Sequence, residues 1–123
     1  MLNLADIITD SIVDGPGIRT TIFSQGCPHH CPGCHNPSTW PFEGGTQMKE
    51  ADILQIVQSN PLCKGVTFSG GEPFAQAEGF GILAGLLKEN GYEVASYSGY
   101  TFEQLLDGTT AQKQLLEKID VLI

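Results

Sequence analysis

Long apolar segments and a basic leader are both missing from this sequence. No apolar run approaches the roughly 20 residues that a membrane-spanning helix needs. The first residues, Met1-Leu2-Asn3-Leu4, lack the basic start and apolar stretch of a signal peptide. We therefore expect no membrane association and a cytoplasmic location.

Basic residues are also scarce. Six Lys and Arg stand against fourteen Asp and Glu, which gives a formal net charge of −8. Nucleic-acid-binding proteins usually carry a basic patch, and none is visible here, so we expect no nucleic-acid partner. Two interpretations of the acidic surface stay open: it keeps the protein soluble, or it docks onto a basic partner.

What the chain does contain is enough apolar material for a core. Hydrophobic residues make up 41% of its 123 residues, which is typical of a globular protein rather than a disordered one. This length favours one domain, residues 1–123. Because disulfides are rare in a reducing compartment, the four cysteines indicate metal binding or catalysis.

Strand and helix patterns alternate after an N-terminal stretch. Such alternation is typical of βα units and a parallel sheet. Four strands are too few for an eight-stranded barrel, so we predict an α/β fold: a partial (β/α) barrel or a curved, mostly parallel sheet with helices on the outer face. The predicted strands are 19–24, 65–69, 93–97 and 120–123. The predicted helices include 52–59, a helix through Phe80, Leu83, Leu86 and Leu87 that ends at Asn90-Gly91, and two helices that begin at capping boxes at Thr101 and Thr109.

Unusual residue clusters follow three of the predicted strands. In parallel sheets, ligands bind beyond the carboxyl ends of the strands. We therefore expect the clusters to face one shared site. They are Gly26-Cys27, Gly70-Gly71-Glu72-Pro73 and Ser98-Gly99-Tyr100.

The cysteine cluster has a spacing that suits a metal centre. Cys27, Cys31 and Cys34 form a C-x3-C-x2-C pattern in a loop with two prolines and a glycine. Thiolates suit iron–sulfur clusters or zinc. Three thiolates on a four-iron cluster leave one iron open to a substrate. The alternative is a closed zinc site that takes a fourth ligand from His29, His30 or His35, which would make the chain a non-catalytic zinc-binding interaction module.

The cysteine spacing resembles the signature of the radical S-adenosylmethionine (SAM) superfamily. Ser69-Gly70-Gly71-Glu72-Pro73 resembles that superfamily's GGE element. The stretches 13–19, 25–40 and 96–100 are similar to glycyl-radical-enzyme activating proteins, and among these most to activators of anaerobic (class III) ribonucleoside-triphosphate reductase. The alternative within the superfamily is a different glycyl-radical activator or a deazaguanine-type synthase. In contrast to many members, Gly33 stands where an aromatic residue contacts adenine. The chain also ends inside its fourth predicted strand, so we expect a C-terminally truncated domain.

The resemblance implies the following roles. Cys27, Cys31 and Cys34 bind a [4Fe–4S] cluster, whose open iron chelates SAM. Gly70, Gly71 and Glu72 hold the methionine ammonium, Ser98 meets the SAM carboxylate or ribose, and Gly33, Cys34 and His35 flank the cofactor. An electron from flavodoxin or ferredoxin then cleaves SAM, and the resulting radical abstracts hydrogen from a glycine of the reductase. No protein side chain is expected to be catalytic, because the cofactors carry the chemistry.

Overall fold

The computed structural model describes residues 2–11, 18–26, 46–60 and 63–122. Within these ranges the chain forms a six-stranded sheet and four α-helices. The strands are β1 (Leu2–Ser11), β2 (Arg19–Ser24), β3 (Thr46–Met48), β4 (Gly65–Gly70), β5 (Glu93–Ser96) and β6 (Val121–Leu122). The helices are α1 (Glu50–Gln58), α2 (Ala77–Glu89), α3 (Phe102–Leu106) and α4 (Thr110–Lys118), with a 3₁₀ helix (Pro73–Gln76) directly before α2.

The sheet combines a parallel and an antiparallel part, in the order β3-β1-β2-β4-β5-β6. Strands β2, β4, β5 and β6 pair in parallel, whereas β1 pairs antiparallel with both β2 and β3. The predicted α/β class is confirmed, and all four predicted strands are present. The expectation of four strands was wrong by two, because β1 and β3 extend the sheet on its antiparallel side.

Local signals explain why most elements begin and end where they do. Thr101 and Thr109 each accept a hydrogen bond from the backbone N–H three residues later, and both capping boxes are complete. After the C-terminal end of α2, Gly91 has a φ of +84° and ends the helix in the left-handed conformation. These turns were predicted because their sequence signals lie within a few residues.

All four helices contribute to one hydrophobic core against the same face of the sheet. Alternate strand residues, such as Ile22, Val66 and Phe68, enter this core. The Phe68 ring lies 4.6 Å from the ring of Phe80 on α2, measured between centroids. In the described ranges no helix is both long and apolar enough to cross a membrane. Because the helices cover this face of the sheet, the loops that follow the strands meet at the strand ends.

Polar side chains occupy the opposite face at the amino ends of the strands. Arg19 is fully buried and crosses over Gly65 to reach Glu93, with 3.0 Å between Nη1 and Oε1. Its Nε also donates to Oγ1 of Thr67 at 2.9 Å. A Cβ on Gly65 would lie 2.8 Å from both terminal nitrogens of the guanidinium. This network ties β2, β4 and β5 together at the edge away from the loops described below.

Substitution of glycine by alanine should change the stability in opposite directions at two positions of α2. A Cβ on Gly81 would meet nothing within 4 Å, so Gly81→Ala should gain about 1 kcal/mol of stability from helix propensity. A Cβ on Gly79 would lie 2.6 Å from Cδ2 of the buried Leu2, so Gly79→Ala should lower the stability. Urea unfolding of both variants measures this difference, and a destabilised Gly81→Ala protein would contradict it.

Candidate functional site

The loops after β2, β4 and β5 lie side by side because these parallel strands end at one edge. Ser24 pairs with Gly70 in the sheet, and Phe68 pairs with Ser96 one strand further. The loop after β4 is the central one, and hydrogen bonds join it to the loop after β2 on one side and to the loop after β5 on the other. The structure thus brings together the predicted residues Gly70, Gly71, Glu72 and Ser98.

The cysteine loop itself lies outside the described residues. Cys27, Cys31, Cys34, Gly33 and His35 all fall in the range 27–45, so their roles stay predictions. In the part of the chain that is described, no group of three or more His, Cys, Asp or Glu could hold a metal ion. The cysteine loop is the candidate metal centre because of its C-x3-C-x2-C spacing.

The approach to that loop is firmly held by the segment after β4. The carbonyl of Ser24 accepts from the backbone N–H of Gly71 at 2.8 Å. The next carbonyl accepts from Nε2 of Gln76 at 3.1 Å. The carbonyl of Gly26 accepts from the backbone N–H of Glu72 at 2.8 Å. Three consecutive carbonyls immediately before Cys27 are therefore fixed by residues 71–76.

Gly70 occupies a position that only glycine fits. Its φ is +89°, in the left-handed region that other residues avoid. A Cβ there would lie 2.6 Å from the backbone nitrogen of Ser24 and 2.8 Å from Cα of Phe23. The role predicted for Gly70 is contact with the methionine ammonium, and the close contact in the structure is with the backbone of strand β2.

The carboxylate of Glu72 is buried and joins two loops. The side chain is 0% exposed. Its Oε2 accepts from the N–H of Phe74 at 3.1 Å and from Oγ of Ser98 at 2.9 Å. Its Oε1 accepts from the N–H of Gly99 at 2.6 Å. Glu72 thus links the loop after β4 to the loop after β5, a function that the sequence did not predict.

Ser98 is engaged on both sides of its hydroxyl. Its Oγ donates to Glu72 and accepts from the backbone N–H of Tyr100 at 3.0 Å. A hydroxyl has only one proton to donate. Ser98 is therefore positioned within the predicted site, with its proton directed to Glu72.

Gln76 is a residue at this site that sequence reasoning missed. Besides its bond to the carbonyl of Gln25, its side-chain amide accepts from the N–H of Asn3 and donates to the carbonyl of Asn3, both at 2.8 Å. The Gln76 side chain thus hydrogen-bonds to the backbone of β1 as a neighbouring strand would, and it also binds the residue that follows β2. A single glutamine before a helix carries no motif, so no local signal could have identified it.

Cys63 is a buried thiol at the opposite edge of the sheet. Its Sγ lies 3.1 Å from the carbonyl oxygen of Gly65 and 3.5 Å from Oγ1 of Thr20. Both neighbours belong to the amino ends of their strands. Cys63 is therefore a free, buried thiol away from the candidate site, and the other three cysteines lie in the loop.

An open cavity of about 800 Å³ lies between the first turns of the helices. Its walls include Glu50 of α1, Glu78 and Ile82 of α2, and Gln112 of α4. The residues predicted to meet SAM, Gly70, Gly71 and Ser98, are not in its lining. Because Gln76 and Tyr100 also line it, the cavity lies beside the candidate site without including those three residues.

Comparison with known families identifies the type of domain. The model of a family described as a 4Fe-4S single cluster domain matches residues 13–123. This range includes the cysteine loop, the Gly70–Glu72 turn and the Ser98 loop.

Comparison with curated proteins finds two kinds of relative. The chain is 33% identical to the anaerobic ribonucleoside-triphosphate reductase-activating protein of Salmonella typhimurium, over 91% of this chain and 76% of the relative. It is 34% identical to the protein of the same name from Pasteurella multocida, over 99% of this chain and 82% of the relative. It is 39% identical to the pyruvate formate-lyase-activating enzyme of Clostridium pasteurianum, but spans only 45% of that enzyme's length and 80% of its own.

Proposed function

Because this chain belongs to the radical SAM family of glycyl-radical-enzyme activating enzymes, we propose that it cleaves SAM reductively and generates a glycyl radical on an anaerobic ribonucleoside-triphosphate reductase. The family's cofactors are a [4Fe–4S] cluster and SAM. The observation that carries the choice of target is the extent of similarity: the reductase activators match over nearly the whole chain and over three quarters or more of their own length.

The residues present fit these cofactors. Cys27, Cys31 and Cys34 would hold the cluster, and Cys63 is buried at the far edge of the sheet, so no described thiol competes for the open iron. The tight backbone at Gly70 and Gly71 would receive the methionine ammonium. Gly33 and His35 would flank the cofactor, with adenine held by backbone near Gly33. When bound, the cluster and SAM supply the reductive cleavage and the carbon-centred radical that removes hydrogen from glycine.

We also propose that residues 1–123 form one radical SAM domain whose sheet curves into a partial (β/α) barrel. The support is the run of parallel neighbours β2-β4-β5-β6, which is in chain order, with α-helices between β4 and β5 and between β5 and β6. Flavodoxin or ferredoxin would supply the electron. A cytoplasmic location fits this chemistry, since low-potential clusters need a reducing compartment.

Reconstitution under anaerobic conditions tests the proposal. We expect a brown protein with about four irons per chain, as a cubane cluster requires. After reduction it should cleave SAM to methionine and 5′-deoxyadenosine, and it should give the reductase a glycyl-radical signal in electron paramagnetic resonance (EPR). One tightly bound zinc per chain, with no visible absorbance, would instead establish the zinc-module alternative.

Activation of pyruvate formate-lyase is the second candidate function. The 39% identity to the Clostridium pasteurianum enzyme favours it, although that match covers less than half of the relative. The two candidates are separated by offering the reduced protein both glycyl-radical enzymes in turn. We expect a radical signal on the reductase, and a signal on the lyase alone would move the assignment to the second function.

A further inference from the structure

Glu72 stands at the meeting point of three loops. Its backbone N–H binds the carbonyl of Gly26, next to the cysteine loop. Its carboxylate binds Ser98 and the N–H of Gly99, in the loop after β5. One residue of the central loop therefore holds both neighbouring loops, one through its main chain and the other through its side chain.

The Glu72 carboxylate holds two loops together, and its burial keeps it away from a ligand. It is 0% exposed and accepts from three described donors. Hydrogen bonds to an ionised acceptor are roughly twice as strong as neutral ones, and burial strengthens them further. These donors occupy three of its roughly four lone-pair sites, and a SAM ammonium could reach the carboxylate only by entering a fully buried position.

Ser98 is subject to the same argument. Its only proton is directed to Oε2 of Glu72, while its oxygen accepts from Tyr100. A hydroxyl in this state has no proton left for a carboxylate or ribose oxygen of a cofactor. Its contribution to the site passes through Glu72.

We propose that Glu72 and Ser98 are positioning residues: together they fix the loop after β5 against the Gly70–Gly71 turn, and neither side chain contacts SAM. This inference rests on the proposed function, and it replaces direct contact by Glu72 and Ser98 with an indirect role. The link between them is a single carboxylate, so the two side chains should act as one unit.

The first test uses the protein without cluster or SAM. Hydrogen exchange followed by mass spectrometry is compared for the wild type, Glu72→Gln and Ser98→Ala, with Glu89→Gln, an exposed glutamate at the end of α2, as the matched control. We expect faster exchange at Phe74, Gly99 and Tyr100 in both site variants, with α2 protected as in the wild type. Unchanged exchange at Gly99 in Ser98→Ala and Glu72→Gln would overturn the proposal.

The second test uses the reconstituted enzyme. Glu72→Gln should raise the KM for SAM about 10- to 100-fold, as expected when a buried charged hydrogen-bond acceptor is lost. Iron content and kcat at saturating SAM should stay near wild type, and the SAM-induced change in the reduced cluster's EPR spectrum should need correspondingly more SAM. Ser98→Thr, which keeps the hydroxyl, should restore the KM that Ser98→Ala loses.

A double-mutant cycle distinguishes positioning from contact. If Ser98 acts through Glu72, the double variant should bind SAM no more weakly than Glu72→Gln alone. Additive losses would mean that the two side chains meet SAM separately, which overturns the inference. A wild-type protein that binds no cluster would refute the proposed function instead, and the exchange experiment on the apoprotein would still decide whether Glu72 holds the loops.

Discussion

Replacing Cys27, Cys31 or Cys34 with serine should remove the cluster and with it the cleavage of SAM. A hydroxyl is a poor, hard ligand for iron in a sulfide cluster, where a thiolate is required. We expect less than about one iron per chain after reconstitution, because two thiolates cannot hold a cubane. SAM cleavage should fall by more than about 100-fold, since even residues that only orient a metal ligand typically cost 10- to 100-fold.

Cys63→Ser is the matched control for these three variants. The new hydroxyl can donate to the carbonyl of Gly65, where the thiol donates now, and the position is at the amino ends of the strands. Iron content, visible absorbance and SAM cleavage should therefore equal those of the wild type. Full iron loading in any single loop variant would contradict the ligand assignment, as would loss of iron in Cys63→Ser.

The fold was predictable where its signals are local. Strand β2 was predicted with its observed limits, and both capping boxes form because a threonine and a glutamine three residues apart suffice for them. Strand β1 was missed because its pairing with β2 shifts register between Leu4 and Asp6, which breaks the alternation of buried and exposed residues. Strand β3 has only three residues, and it exists because β1 is beside it.

In the candidate site, too, residues with a local sequence signal were predictable and long-range contacts were not. A glycine pair after a strand is a visible signal, and it marked Gly70 as a site residue that contacts the SAM ammonium, which stays a prediction; its φ of +89° and its close contact with Ser24 were not predicted. The partners of Glu72 were not predictable, because Ser98 and Gly99 lie 26 and 27 residues further along the chain. No property of a glutamate in a sequence indicates whether its carboxylate faces a ligand or another loop.

Among glycine-to-alanine substitutions in the described part of the site, Gly70→Ala should lower the stability most. Two costs add: about 1–2 kcal/mol for an L-residue in the left-handed region, and about 1–3 kcal/mol for overpacking against β2. The overlap is with backbone atoms of Phe23 and Ser24, which cannot rotate away as a side chain could. Relief requires β2 and β4 to separate just before the cysteine loop.

Gly91→Ala carries only the first cost, because Gly91 has nearly the same backbone conformation as Gly70 without the crowding. Its φ is +84°, and a Cβ there would meet nothing within 4 Å. We expect Gly91→Ala to lose only the conformational term, about 1–2 kcal/mol, and to keep wild-type affinity for SAM. Gly70→Ala should lose more stability in urea unfolding and should also bind SAM more weakly, since Gly71 and Glu72 hold the carbonyls next to Cys27. Equal losses of stability in the two variants, with SAM binding intact in both, would show that the close approach of β2 at Gly70 is not what shapes the site.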